Sequence, residues 1–279
     1  MLNVFGTSYK ESDIALREKL HFRKKHLKDA VAELHKKVQN ECMILSTCNR
    51  IEIYSVAQNF DNIIKFISEY HNLLPIDFVP YSYSYSGDAA MQHLDRVASG
   101  QESLIVGEKQ IIDQINFALK TSSEVNCCGA KLYSLFLHIL HKYKSVDEKE
   151  KSIGDVVLKF INRQVVDIES KNISIIGTGV VADLVLKSIK GYNAKVFSNR
   201  FFSKAKKLAK KYNICAEKYK NISTVLNQSD VIICATECPT FIIHKKDISE
   251  KNQPLIIDLG MPRNVESQIQ NSFHLEEIV

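Results

Sequence analysis

The sequence predicts an α/β protein built as an α+β domain followed by a parallel sheet wound with helices. Three observations lead there. Beyond residue 173, short apolar runs at 173–176, 194–197, 231–235 and 255–259 alternate with helical segments, the pattern of βα units. Upstream, two strand-like runs at 43–45 and 51–56 stand among amphipathic helical stretches. The glycine turn Gly177-Thr178-Gly179 lies directly between the first apolar run of the second half and the helical run that follows.

Taken in order, residues 2–5 read as a short strand closing at Gly6. Leu27, Val31, Leu34 and Val38 recur at helical spacing in a charged segment, which predicts an amphipathic helix. After the strand at 43–45, Ile51, Ile53 and Ser55 alternate with Glu52, Tyr54 and Val56, so Thr47-Cys48-Asn49-Arg50 falls at the join of two strands. Residues 88–98 read as helix, interrupted by Ser99-Gly100. Ile112, Ile115 and Leu119 mark a further helix, and 131–170 keeps helical spacing apart from a charged stretch at 147–152. The expected division is a first domain at 1–148, a helical connection at 149–168, a second domain at 169–268 and a linker-like end at 269–279.

Composition narrows the class. The chain has 279 residues, 45% of them hydrophobic and 25% charged, enough for two cores and too apolar for disorder. No run of about eighteen apolar residues is present, so no membrane span is expected. The N-terminus meets charge early and lacks a signal-peptide core, which makes the cytoplasm the default location. Seven cysteines then read as reduced thiols, and their spacing with no companion histidine gives no metal set. A net charge of +5 permits a polyanionic partner such as RNA without demanding one.

The turn Gly177-Thr178-Gly179-Val180-Val181-Ala182 has the dinucleotide-binding pattern of a Rossmann-like domain. Gly177 allows the tight turn, Gly179 lets backbone approach a pyrophosphate, Ala182 takes the third small position, and the following helix offers its N-terminal amides. The second strand ends in Ser198-Asn199-Arg200. No acid stands there to hold ribose hydroxyls, whereas Arg200 offers a fork for a 2′-phosphate, so NADP is favoured over NAD. Lys204, Lys206 and Lys207 add positive potential nearby.

Cys48 differs from the other cysteines in its polar setting, between Ser46-Thr47 and Asn49-Arg50. A neighbouring arginine would favour the reactive thiolate. Nucleophile and small core residue both stay open on these grounds. His93, on the helix at 88–98, reads either as a general acid or as a satisfied helical histidine. Cys42, Cys127, Cys128, Cys215, Cys234 and Cys238 read as structural.

The run Ser46-Thr47-Cys48-Asn49-Arg50-Ile51-Glu52-Ile53-Tyr54 resembles the signature of the glutamyl-tRNA reductase family. So do Gly6-Thr7-Ser8-Tyr9-Lys10 with Arg17-Glu18, the block from His93 to Ser103, Val106-Gly107-Glu108-Lys109-Gln110-Ile111, Asn199-Arg200, and the block from Asp258 to Asn264. The resemblance runs in order over nearly the whole chain. It implies an N-terminal catalytic domain and a C-terminal NADP-binding Rossmann domain. Cys48 would attack the ester of glutamyl-tRNA(Glu), and NADPH would reduce the resulting thioester to glutamate-1-semialdehyde, the first step of tetrapyrrole synthesis. It further implies that His93 protonates the leaving hydroxyl and Arg50 recognises the substrate carboxylate. Thr47, Asn49, Ser99, Ser103, Glu108 and Gln110 would line the glutamate pocket. Glutamate-1-semialdehyde aminomutase, the next enzyme, is an implied partner, and no metal is required.

Tyr9, Glu11-Ser12-Asp13 and Lys109 depart from the family pattern. The sequence given ends at Val279, before the family's long helix and dimerisation domain, so the usual dimer is not to be assumed from the resemblance. Two rivals remain: a relative that binds tRNA or a pathway partner without turnover, and another NADP dehydrogenase resembling shikimate dehydrogenase.

Overall fold

The computed structural model describes residues 1–56, 59–108, 110–144, 152–198, 200–249 and 253–279. The chain forms two compact units, Met1–Glu150 and Lys151–Val279.

In the first unit the elements run β1 (Asn3–Ser8), α1 (Ile14–Leu20), α2 (Leu27–Val38), β2 (Cys42–Ser46), β3 (Arg50–Ser55), α3 (Asp61–His71), α4 (Pro75–Phe78), β4 (Tyr83–Ser86), α5 (Asp88–Ala98), α6 (Gln110–Glu124) and α7 (Ala130–Lys144). The strands form one antiparallel sheet in the order β2-β3-β1-β4. Helices cover both faces. Phe5, Ile51 and Ile53 pack with Leu27, Val31, Leu34, Ile63 and Phe66 on one side. Val4, Met43, Leu45 and Tyr54 pack with Leu94, Ile115, Leu119, Leu132 and Phe136 on the other. Because successive side chains on a strand point to opposite faces, a sheet buried on both sides leaves no polar face turned to water. That is why all six residues of β1 and of β3 are buried.

The predicted strand at 2–5 extends through Gly6 to Ser8. Glycine is needed there because a Cβ at Gly6 would stand 2.5 Å from the Ile51 carbonyl oxygen and 2.8 Å from Glu52 Cγ. Helices α1, α3 and α4 and strand β4 were not anticipated. The four residues of β4 alternate between half-buried and exposed, too short a run to register as a period.

The second unit contains α8 (Ile153–Gln164), β5 (Ile173–Ile176), α9 (Val180–Ser188), β6 (Ala194–Phe197), α10 (Phe202–Tyr212), β7 (Cys215–Glu217), α11 (Ile222–Asn227), β8 (Val231–Cys234), β9 (Leu255–Asp258), β10 (Ser272–His274) and α12 (Leu275–Ile278). Its six strands are parallel in the order β10-β9-β8-β5-β6-β7. Counted along this unit, that is the 3-2-1-4-5-6 order of a Rossmann fold, whose order reverses between β5 and β8 and leaves a crevice at their carboxyl ends. Helix α8 packs on α9, and a Cβ at Gly154 would lie 2.3 Å from the Leu184 carbonyl oxygen. Residues 272–278 form the edge strand β10 and the short α12. No helix among the described residues is long and apolar enough to cross a membrane.

Candidate active site

Cys48 and Asn49 are the tip of the hairpin joining β2 to β3. The turn is closed by Thr47: its amide donates to the Arg50 carbonyl (2.9 Å), and its Oγ1 accepts from the amides of Asn49 and Arg50, both at 3.1 Å. The Asn49 carbonyl accepts from the Tyr9 amide, tying the tip to the end of β1. Cys48 keeps part of its surface open, whereas Cys42, Cys127 and Cys234 are buried and Cys215 is exposed. Cys215 is therefore no core residue.

The thiol itself differs from expectation. Burial, and after it the Glu108 carboxylate, push Cys48 up to about 12, against a hydrogen bond from its own backbone and the charges of Arg17 and Lys24. Arg50, two residues along the chain, is not among the cations that act on it. Arg17, fully buried on α1 and bonded to the Ser12 carbonyl, takes that place. Glu108 is itself raised to about 7 by burial.

Arg50 faces elsewhere. Arg50, Glu52 and Tyr54 alternate along β3 and so share one face. Arg50 NH1 donates to Glu52 Oε1 (2.8 Å), its NH2 donates to the Glu102 carbonyl, and Tyr54 donates to Glu52 Oε2 (2.7 Å). His93, reaching in from α5, places Nε2 2.8 Å from Glu52 Oε1, and Tyr83 donates to the same oxygen. A carboxylate only accepts, so Nε2 carries the proton. Burial alone would raise Glu52. The Arg50 charge and the His93 and Tyr83 hydrogen bonds override it and hold the carboxyl well below its usual range.

Cross-strand register explains how Tyr83 arrives. Glu52 on β3, Gly6 on β1 and Tyr83 on β4 occupy one row. Two strand spacings, roughly 10 Å, separate the outer pair. Only a residue without a side chain between them lets the phenol and the carboxylate meet over the sheet.

The remaining predicted pocket residues lie around the end of α5 and the start of α6. Ser99 donates its hydroxyl to the Arg96 carbonyl, Ser103 is buried, and Gln110 opens α6 with its Nε2 buried and no partner among the described residues. Glu102 pairs with Lys10 and Arg96. Lys109 lies outside the described residues.

In the second unit the glycine turn follows β5. Gly177 has φ +139°, and a Cβ there would lie 2.2 Å from the Ala235 carbonyl oxygen, at the end of the neighbouring β8. Gly179 caps α9 with no side-chain bond to the helix amides, and nothing lies within 4 Å of the position its Cβ would take. Thr178 is half-buried, Val180 is exposed, and Ala182 is fully buried where helix meets sheet. An open cradle over uncapped helix amides fits a dinucleotide pyrophosphate. Ser198 is buried and its Oγ accepts from the Phe201 amide (3.2 Å). Arg200 is exposed, its guanidinium 5.3 Å from the Phe201 ring centroid. Asn199 lies outside the described residues. Asp258 and Asn264 brace this end of the sheet: Asp258 accepts from the Gly260, Asn264 and Val265 amides, and Asn264 accepts from Thr236.

The family description "Glutamyl-tRNAGlu reductase, N-terminal domain" matches residues 5–150, and "Shikimate / quinate 5-dehydrogenase" matches residues 159–278. A glutamyl-tRNA reductase of Oceanobacillus iheyensis is 30% identical over 96% of this chain and 64% of its own length. The chain belongs to the glutamyl-tRNA reductase family. A second reductase of the family, from a Marinomonas species, is 30% identical over 95% of this chain and 67% of its own. The chain thus spans about two thirds of the length of these relatives. The solved glutamyl-tRNA reductase of Methanopyrus kandleri superposes with a TM-score of 0.50 at 26% identity, covering 98% of this chain and 70% of that one.

Set beside the family signature, the structure brings Arg50 and His93 together and adds two residues that sequence reasoning left without a role. Glu52 is the hub of the buried cluster. Its signal was present, since an acid two positions from an arginine on a strand must share its face. Arg17 gave no such signal, because its approach to Cys48 is a product of tertiary folding.

Proposed function

We propose that the chain reduces the activated glutamate of glutamyl-tRNA(Glu), with NADPH, to glutamate-1-semialdehyde and free tRNA. The observation that carries this reading is Cys48 at a braced hairpin tip, partly open to solvent, with a titratable carboxylate acting on it.

A thiol raised to about 12 is protonated at neutral pH and needs a base. Glu108, poised at about 7, is matched to take that proton as Sγ bonds to the ester carbonyl carbon. The bond from that carbon to the ribose oxygen breaks, the ribose hydroxyl leaves protonated, and the acyl group remains on Sγ as a thioester. His93 has committed Nε2 to Glu52, so it would serve the leaving hydroxyl only through Nδ1. Arg50 already binds a carboxylate of the protein itself, which makes it first a support for the pocket. Gln110 Nε2, buried without a partner among the described residues, is a donor suited to a glutamate side chain. NADPH supplies hydride when bound. Gly177, Gly179 and the α9 amides would hold its pyrophosphate and Arg200 its 2′-phosphate, while the acyl carbon gives up Sγ as the aldehyde forms.

The test mixes the purified chain with glutamyl-tRNA(Glu) and NADPH and assays semialdehyde. Cys48→Ser is expected to lower tRNA-dependent NADPH oxidation by about a thousandfold or more, and Cys234→Ala to leave most of it. Equal activities in the two variants would remove Cys48 as the nucleophile. Binding of tRNA with no semialdehyde formed would favour a non-catalytic relative.

A further inference from the structure

The second unit carries a concentration of positive charge that neither the glycine turn nor the cofactor explains. Between Arg200 and Lys220 stand eight basic residues and one acid, Glu217. That surplus of seven exceeds the +5 of the whole chain, so the rest of the protein is slightly acidic. Helix α10 holds five lysines and no Asp or Glu. Lys206 and Lys210, and Lys207 and Lys211, are four residues apart, a spacing at which like charges repel. A face meant only for solubility would mix signs. Of the eight, Lys211 is neutralised by Asp183 at 2.7 Å. The described residues show no ion pair for the other seven.

Two aromatic rings are set into this charge. Arg200 and Lys204 flank Phe201, at 5.3 and 5.1 Å from its centroid. Lys206 and Lys218 flank Phe202, both at 5.1 Å. Phe201 is 47% exposed, so its ring is available to a second planar group. A cofactor 2′-phosphate could neutralise the Arg200 end alone. From Lys204 to Lys211 the charge runs about 10 Å along α10, back from the carboxyl end of the sheet where a dinucleotide binds.

We propose that α10 together with the segment Lys218–Lys220 is an RNA-docking surface: its lysines take successive backbone phosphates and Phe201 stacks an unpaired base. Basic charge with interleaved exposed aromatics is the arrangement that binds RNA with modest sequence preference. The proposal rests on the reading of a tRNA-linked substrate, and it adds a binding surface on the second unit.

The experiment measures binding of uncharged, fluorescently labelled tRNA(Glu) by anisotropy across a salt series, with no turnover required. The triple variant Lys210→Ala/Lys218→Ala/Lys220→Ala is expected to bind at least about tenfold more weakly near 50 mM salt, with the log–log salt slope shallower by about two. Its NADPH affinity should stay within twofold, which also certifies the fold. The corresponding triple arginine variant should bind as the wild type does. Phe201→Ala should weaken binding while leaving the slope unchanged. A triple alanine variant with wild-type affinity and slope overturns the proposal, as does one that loses affinity with no change of slope. Failure of semialdehyde formation with intact, salt-dependent tRNA binding would count against the proposed function and leave this surface standing.

Discussion

In the first unit the candidate site is written in side chains, and in the second it is written in backbone. Around β3, a buried carboxylate is held by a guanidinium, an imidazole and two phenols. After β5, a glycine at φ +139° and a second glycine with open space beside it shape the surface. The first kind of site is costly to assemble, because each buried charge has left water and is repaid only by its partners. The second costs little, since an uncapped helix end and a crevice come with the topology. The contrast teaches where each unit is fragile: the first to loss of one polar group, the second to gain of one methyl.

The largest effect should come from Glu52→Gln. It leaves the buried Arg50 without its counterion and is expected to destabilise the first unit by about 3–5 kcal/mol in chemical denaturation. Adding Arg50→Met should restore part of that loss. If Glu52→Gln alone is neutral, the cluster does not hold the unit together. Its pH signature has a definite sign. A carboxyl held below its ordinary value contributes stability that is complete above about 4.3 and is lost as pH falls below it. Wild-type acid unfolding of this unit should therefore be steeper than that of the variant.

A paired substitution tests the second unit. Gly177→Ala must place a Cβ 2.2 Å from the Ala235 carbonyl oxygen at positive φ, and should cost about 1–3 kcal/mol along with cofactor binding. Gly179→Ala meets nothing within 4 Å and has φ −86°. It should change stability by less than about 0.5 kcal/mol yet still weaken NADPH. Equal stability losses would erase the distinction between a glycine needed for folding and one needed for the ligand.

The Glu108 carboxylate, raised to about 7, should give kcat/KM a limb that climbs with pH through neutrality as the base ionises. Glu108→Gln should flatten that limb, and a surviving limb would assign it to another group. For folding the sign is opposite to that of Glu52. Burial favours the protonated form, so the stability Glu108 lends is full below the ordinary carboxylate range and lost as pH rises through about 7. The smallest expected effect is at the exposed Arg200. Replacement by alanine should weaken NADPH by about tenfold and leave NADH nearly untouched in a binding titration. Equal losses for both would remove its phosphate role.

Much of this was legible in the sequence, for local reasons. Strand, glycine turn and helix at 173–188 are contiguous, so their periods and the turn could be read directly. The same holds for the hairpin carrying Cys48, flanked by a short apolar run and an alternating one, and for α5, predicted at 88–98 and found there. The misses have physical causes too. Strand β4 is four residues long, and its place beside β1 depends on pairing across 77 positions between Gly6 and Tyr83. The state of the Cys48 thiol was misjudged because Arg50 is two residues from it in sequence but bonds Glu52 in space.

What the sequence determined by itself is the order of elements, the two-part α/β organisation and the family to which the chain belongs. Each of these rests on residue types at fixed short spacings. The tertiary structure alone decided which charges meet. It set His93 on Glu52 across 41 positions, brought Arg17 and Glu108 to bear on Cys48, and cleared a path over Gly6 for Tyr83. Electrostatic energy depends on separation and burial, and neither is a property of neighbouring letters in a chain.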